Sequence, residues 1–249
     1  MRTRLIVLAL CAAIAGPVLA EDQSLLMLGV GAGTERLAYK GAHMRKRAVP
    51  LIVYQNEWLA VSLPTADLKL PDFGPVSLRL RARFGFDGYK AKDATGLAGM
   101  ATRRDGLWLG PAAVIEGELG ELSLEATRDA SGSSGGAGKG SQWRLQYEYT
   151  VRLGALSLTP QLGVAGLDRK YVDYYYGVRA TEVRPDRAAY TGRATQQLEL
   201  GLRSSYALSQ KSMLFVGLSA NRLGSAAADS PLVERRYTGS LFAGWFYRL

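Results

Sequence analysis

The sequence predicts an all-β protein: an antiparallel transmembrane β-barrel of twelve strands with short periplasmic turns and long external loops. Three observations carry this. Apolar and polar residues alternate with period two over stretches of about ten residues, the spacing of a strand with one apolar and one polar face. The longest uncharged run in residues 21–249, Leu153 to Leu167, carries Pro160 and three glycines, so no window there supports a spanning helix. Short and long connections also alternate along the chain, as they do in an outer-membrane barrel.

Composition sets the outer bounds. A chain of 249 residues, 47% apolar and 21% charged, is neither disordered nor collagen-like. Thirteen Tyr and four Trp outnumber six Phe, a bias that suits rings lying half in lipid and half in water. One His and one Cys leave no material for a His/Cys metal cluster and little for a Ser/His or Cys/His catalytic pair.

Residues 1–20 read as a cleaved signal peptide. Arg2 and Arg4 precede the uncharged stretch Leu5 to Ala20, which ends in Val18-Leu19-Ala20 before Glu21. A retained N-terminal anchor is the alternative. Cys11, the only cysteine, lies in this segment without the small preceding residue of a lipid-anchoring site. Residues 21–249 are then an exported barrel without disulfides, still net positive.

Strands are expected at 24–33, 49–56, 58–64, 66–71, 76–86, 107–117, 121–130, 142–153, 155–167, 193–207, 211–222 and 235–248. The clearest show the alternation directly: Leu78, Leu80, Ala82, Phe84 and Phe86 interleave with Arg79, Arg81, Arg83 and Gly85. Leu145, Tyr147, Tyr149, Val151 and Leu153 interleave with Gln146, Glu148, Thr150 and Arg152. The hairpin 58–71 is short and polar, and without it as a full pair the count falls to ten or eleven. Pro111 and Pro160 fall inside strands, where each removes a ladder donor; they mark bulges or misplaced limits. A soluble barrel or sandwich shares the alternation. Strand length and the signal peptide favour the membrane, and the polar face then becomes the lumen. Arg79, Arg81, Arg83, Glu116, Glu118, Glu125, Glu148, Arg152, Glu199 and Arg203 are the expected lumen charges.

The last strand alternates Tyr237, Gly239, Leu241, Ala243, Trp245, Tyr247 and Leu249 to the terminus. It resembles the signal read by the barrel-assembly machinery, ending in Leu where Phe or Trp is usual. Further matches accumulate in order. Leu28 to Gly33 is followed by Tyr39-Lys40-Gly41, and Pro50 leads the second strand. Leu97-Ala98-Gly99-Met100, Tyr174-Tyr175-Tyr176-Gly177-Val178 and Ser230-Pro231-Leu232-Val233 follow. Together these resemble the MipA/OmpV family of outer-membrane proteins. The resemblance implies a barrel in a Gram-negative outer membrane rather than a chemistry. Members are described as scaffolds joining a lytic transglycosylase to a penicillin-binding murein synthase, as adhesins, or as proteins that alter solute or antibiotic passage.

No catalytic, cofactor or metal site is expected. His43 stands in a loop beside Arg45, Lys46 and Arg47 and reads as solvated. Gly29-Val-Gly31-Ala-Gly33 misses dinucleotide spacing, and Gly132 to Gly140 lacks the pattern of a phosphate loop. Tyr171, Tyr174, Tyr175 and Tyr176 read as the external aromatic girdle or, alternatively, as a surface for glycan or protein. The clusters Arg45–Arg47, Arg103-Arg104 and Arg235-Arg236 suit lipopolysaccharide phosphates, so nucleic acid is not needed to explain the charge. The expected function is non-enzymatic scaffolding of envelope machinery. A narrow solute channel and a soluble secreted β-protein are the alternatives.

Overall fold

The computed structural model describes residues 24–132 and 138–249; the expected signal peptide and the Ser/Gly stretch 133–137 lie outside the described residues. Thirteen strand segments follow one another: β1 Leu25–Arg36, β2 Met44–Gln55, β3 Leu59–Ser62, β4 Thr65–Lys69, β5 Val76–Gly85, β6 Gly106–Gly117, β7 Gly120–Asp129, β8 Ser141–Glu148, β9 Val151–Leu153, β10 Leu156–Leu167, β11 Thr195–Ala207, β12 Ser212–Arg222 and β13 Tyr237–Arg248. Each pairs antiparallel with its neighbour, β13 returns to β1, and β10 meets β11, so the sheet closes. Segments β8 and β9 are two lengths of one strand lying on β10 in a single register, Glu148 opposite Gln161 and Val151 opposite Leu158. The architecture is a closed twelve-strand antiparallel barrel.

The two in-strand prolines explain their own interruptions. Tyr149 lies between β8 and β9 and its N–H reaches Pro160 O at 3.3 Å, but Pro160 has no N–H to return. The ladder loses one bond and the register does not shift. Pro111 likewise falls between the pairs Leu109–Arg128 and Ala112–Glu125, which keep one register. Neither proline marks a bulge, because a missing donor breaks a bond without adding a residue.

Strand limits agree closely with expectation except at β2, which begins at Met44 rather than 49. Its basic start resembled loop, yet Arg45, Arg47 and Val49 alternate with Lys46, Ala48 and Pro50 as one pleated strand. The apolar face is outermost. Leu78, Leu80, Leu145, Tyr147, Leu200 and Leu218 are exposed to the surroundings, while Glu125, Gln142 and Glu148 are buried. In water this would be an inside-out protein; in a bilayer it is the required arrangement.

The inward face divides into two arcs. On β4, β5, β7, β8 and β11 it is charged, with the small inward residues of β6, Gly110 and Ala112, lying between. On β1, β2, β12 and β13 it is apolar: Met27, Leu51, Val53, Met213 and Phe246 form a buried cluster joined by Phe215 and Phe242. The glycines of β1 make this packing feasible. A Cβ on Gly31 would lie 2.6 Å from Phe242 Cε1, and one on Gly33 2.5 Å from Phe242 Cδ2, so the ring lies where only hydrogens fit.

At the end away from the termini, the long connections fold over the mouth. They hold α1 (Arg169–Tyr176) and the single turn α2 (Ser225–Ala228). Asp168 caps α1, its carboxylate accepting from Tyr171 N–H at 2.7 Å and from Ser141 N–H at 2.9 Å, which ties the helix to the start of β8.

Candidate functional site

Two polar systems qualify as sites: the charged lumen and the loop cap above it. The lumen system follows from register. Asp67 of β4 faces Arg81 of β5, and the pair is bidentate, with Nε to Oδ1 at 2.8 Å and Nη2 to Oδ2 at 2.7 Å. Arg79 lies 3.4 Å from both Asp67 and Glu116. Glu125 of β7 is the centre: Arg81, Arg83 and Arg144 approach it at 2.8, 2.8 and 2.9 Å. Arg144 continues to Glu199 of β11 at 2.6 Å, and Arg203 pairs with Glu148 at 2.8 Å. Residues of opposite sign thus carry a chain of ion pairs around the wall from β4 to β11, reaching over β6 and β10. Bidentate guanidinium–carboxylate geometry makes these the strong kind of polar contact. A polar cavity of about 300 Å³ remains among them, lined by residues such as Arg79, Glu121, Gln146 and Arg203.

Most of the charges singled out in the sequence meet in this network. Two do not. Glu118 lies in the turn between β6 and β7, exposed, because the ladder ends at Gly117 and puts it beyond the wall. Arg152 pairs in register with inward-facing Ser157 but is exposed at the mouth nearest the termini. Sequence reading missed Asp67 and Arg144, which lie at the heart of the network. The signal for Arg144 was available, since it continues the inward series Glu148, Gln146. Asp67 was hidden in a hairpin that read only as polar.

The cap is built from apolar residues that the loops supply at wide spacing. Leu37, Tyr39, Tyr89, Ala94, Leu97, Met100, Val178 and Leu232 form one buried cluster from four separate connections. Trp108, Leu167, Tyr171, Val172, Tyr175 and Ala226 form a second. The four tyrosines therefore do not stand together at a rim. Tyr171 and Tyr175 are buried, with Tyr171 5.4 Å centroid to centroid from fully buried Trp108. Tyr174 and Tyr176 are half-buried at the edge of the same core. The reason is α1, which turns an apparently linear aromatic run into a helix face.

Polar contacts lock the cap. Arg103 and Glu182, both nearly inaccessible, pair at 2.8 and 3.0 Å, and Arg103 Nε also donates to Tyr174 O at 2.7 Å. Arg187 donates to the carbonyls of Glu182, Gly96 and Ala98. Burial opposes ionisation of Glu182, but the Arg103 guanidinium and the N–H groups of Ala101 and Arg179 outweigh it and hold its carboxyl below the ordinary range. Burial pushes the Tyr89 hydroxyl up to about 12. His43 is exposed at the foot of β2. Among the described residues no three His, Asp or Glu side chains converge as metal ligands would.

Comparison with known proteins places this architecture. The family model described as "MltA-interacting protein MipA" matches residues 28–249. The chain is 25% identical over 239 residues to putative outer membrane protein YiaT of Escherichia coli K12, covering 90% of each chain. It is 25% identical over 250 residues to the MltA-interacting protein of the same strain, covering 99% of each. Outer membrane protein OmpV of Vibrio cholerae is 27% identical over 146 residues, covering 59% of this chain and 55% of that one. Among solved structures, the COG4313 outer membrane channel from Pseudomonas putida F1 aligns with a TM-score of 0.47 at 9% identity, covering 93% of this chain and 97% of that one. The NanC porin aligns with a TM-score of 0.44 at 8% identity, covering 89% and 100%. The barrel lies in the outer membrane of a Gram-negative cell.

Proposed function

The chain belongs to the MipA family of outer-membrane proteins, and from that premise we propose that it acts without catalysis, as a scaffold barrel holding murein-remodelling enzymes against the inner surface of the outer membrane. The observation that carries this reading is where apolar side chains stand free. At the end that holds both termini, the turns expose Trp58, Phe73 at 79% and Leu119 at 83%. At the opposite end, the loops bury most of theirs in the cap, although Val183, Met44 and Tyr237 are exposed there. Exposed large apolar residues at turn tips suit protein contact in the periplasm. A relative bears the name MltA-interacting protein, which favours a lytic transglycosylase as one partner. A penicillin-binding murein synthase is the second, and the barrel-assembly machinery reads the last strand during biogenesis. Lipid and lipopolysaccharide surround the wall.

Affinity capture from solubilised membranes tests this. Murein enzymes should co-purify with the wild-type barrel and be lost with Phe73→Asp and Leu119→Asp, while both variants keep the heat-dependent gel mobility of a closed barrel. Repeated capture without murein enzymes would remove the reading. The polar cavity beneath the cap favours a narrow solute channel as the second reading. Planar-bilayer recordings separate the two: discrete conductance steps support the channel, and a silent membrane supports the scaffold.

A further inference from the structure

Strands β3 and β4 are too short to line the full height of the wall. Their hairpin turns at Leu63-Pro64, where Leu63 N–H donates to Ile52 O at 3.2 Å and Phe84 N–H donates to Pro64 O at 2.9 Å. Beyond those two bonds, toward the cap, β2 pairs with β1 on one side and with no strand on the other. The result is a window in the barrel wall between β2 and β5. Its roof is Arg45, whose guanidinium donates to Gly88 O at 3.0 Å and Phe86 O at 2.8 Å.

Backbone alternation fixes what borders this window. Ile52 aims its carbonyl toward β3, so Pro50, Ala48 and Lys46 aim their backbone polar groups to the same side. Pro50 has no N–H to leave unpaired. Lys46 and Ala48 do, and among the described residues no ladder partner meets them on that side. An open strand edge at lipid depth is costly until an acceptor reaches its donors. Arg47 lies beside them, its guanidinium 4.4 Å from the Phe86 ring centre and 3.5 Å from Phe86 O. Three acids act on Arg47, namely Glu35, Asp105 and Asp87; Glu35 is held by Arg45 at 2.7 Å, and Asp105 accepts from Gly88 N–H at 2.9 Å. Donors from Lys46, Arg47 and Ala48 therefore gather at the upper rim. Behind the opening lies a pocket of about 680 Å³, walled inside by Val49, Leu51, Phe215, Phe242 and Phe246, a size and lining suited to an apolar ligand.

We propose that the window is a lateral port for a phosphate-bearing lipid of the outer leaflet. One acyl chain passes the Pro50 edge into the apolar pocket. The phosphate oxygens accept from the N–H groups of Lys46 and Ala48 and from the Arg47 guanidinium. This accounts together for the truncated hairpin, the proline on the free edge, the unpaired amides and the apolar arc of the lumen.

Photo-crosslinking tests it. The full barrel is refolded into vesicles of equimolar dimyristoylphosphatidylcholine and dimyristoylphosphatidic acid, with p-benzoylphenylalanine placed at Val49. Thr238, on the facing wall of the same pocket, is the second position should the first fail to fold. Leu145 on the lipid face and Ser123 in the charged lumen are the references. One-lipid mass adducts are expected at Val49, Thr238 and Leu145 and not at Ser123. At Val49 phosphatidic acid should be favoured over phosphatidylcholine by about tenfold more than at Leu145. Arg47→Gln and Ala48→Pro should each remove most of that preference. Adducts at Leu145 alone would overturn the proposal, as would equal adducts at Ser123, which would mean entry by another route. Capture at Val49 without headgroup preference would overturn the assignment of the rim.

Discussion

The two arcs of the lumen occupy equivalent positions in the alternation, yet they are held by opposite physics. On β4, β5, β7, β8 and β11, inward residues include Asp67, Arg81, Glu125, Arg144 and Glu199, which pair with one another across the wall. On β1, β2, β12 and β13, a block of inward residues is apolar, Met27, Leu51, Val53, Met213, Phe215, Phe242 and Phe246, and is satisfied by contact alone. The difference teaches that facing and chemistry are separate decisions. The bilayer dictates that the outer face be apolar and leaves the inner face free. The charged arc gains directional bonds but depends on every partner. The apolar arc tolerates loss of a contact but not a gain in volume.

The largest expected effect tests that dependence. Glu125→Leu removes the ion-pair partner of Arg83 and leaves Arg81 and Arg144 held only by Asp67 and Glu199; it should cost about 3–5 kcal/mol, because breaking a buried network is worse than never having it. Denaturant titration of the refolded barrel, read by gel mobility, measures it; a cost below 1 kcal/mol would put the arc in water rather than in mutual contact. Next in size is the opposite face of the same wall. Leu145→Arg should cost up to about 2–4 kcal/mol if position 145 lies near the bilayer midplane. The same assay reads it, and a neutral result would show that the apolar face does not meet lipid.

The apolar arc should answer differently. Gly31→Ala drives a methyl against the Phe242 ring and should cost about 1–3 kcal/mol. Adding Phe242→Leu should recover much of that, a non-additivity that denaturation of the double variant reveals. The smallest effect concerns the cap. Glu182 titrates below its ordinary range in the folded protein, so its contribution is fully present above the unfolded carboxylate value of about 4.3 and fades as pH falls through the lower folded value. Hydrogen exchange at the Ala101 and Arg179 amides, which donate to this carboxylate, should quicken only in strong acid. Acceleration already at pH 6 would place the lock elsewhere.

Much of this architecture is legible in the chain because strand period, turn composition and the bilayer all constrain the same residues. Alternation sets Leu145 and Tyr147 on one face and Glu148 on the other, and the membrane assignment then says which face is outward. The short hairpin counts as two strands, which brings the total to twelve. The arcs are less legible, since Gly31 and Phe242 meet only through the pairing of β1 with β13. The cap is least legible. Tyr39, Leu97, Val178 and Leu232 come from four connections, and no local pattern says that they share a core. Asp67 escaped for a related reason: its partners Arg79 and Arg81 identify it, and it does not identify itself.

The pairing of β1 with β13 has a kinetic side. Met27 and Phe246 belong to β1 and β13, the first and last of the described strands, so their cluster forms only when those two strands meet. Until then the sheet has two open edges and β1 offers a bare glycine face with nothing to lie on it. The ion pairs of β4 to β8 do not depend on that seam. The phenylalanines of β13 are thus a latch that engages at the seam, and a chain lacking that strand would keep its charges matched while remaining unsealed.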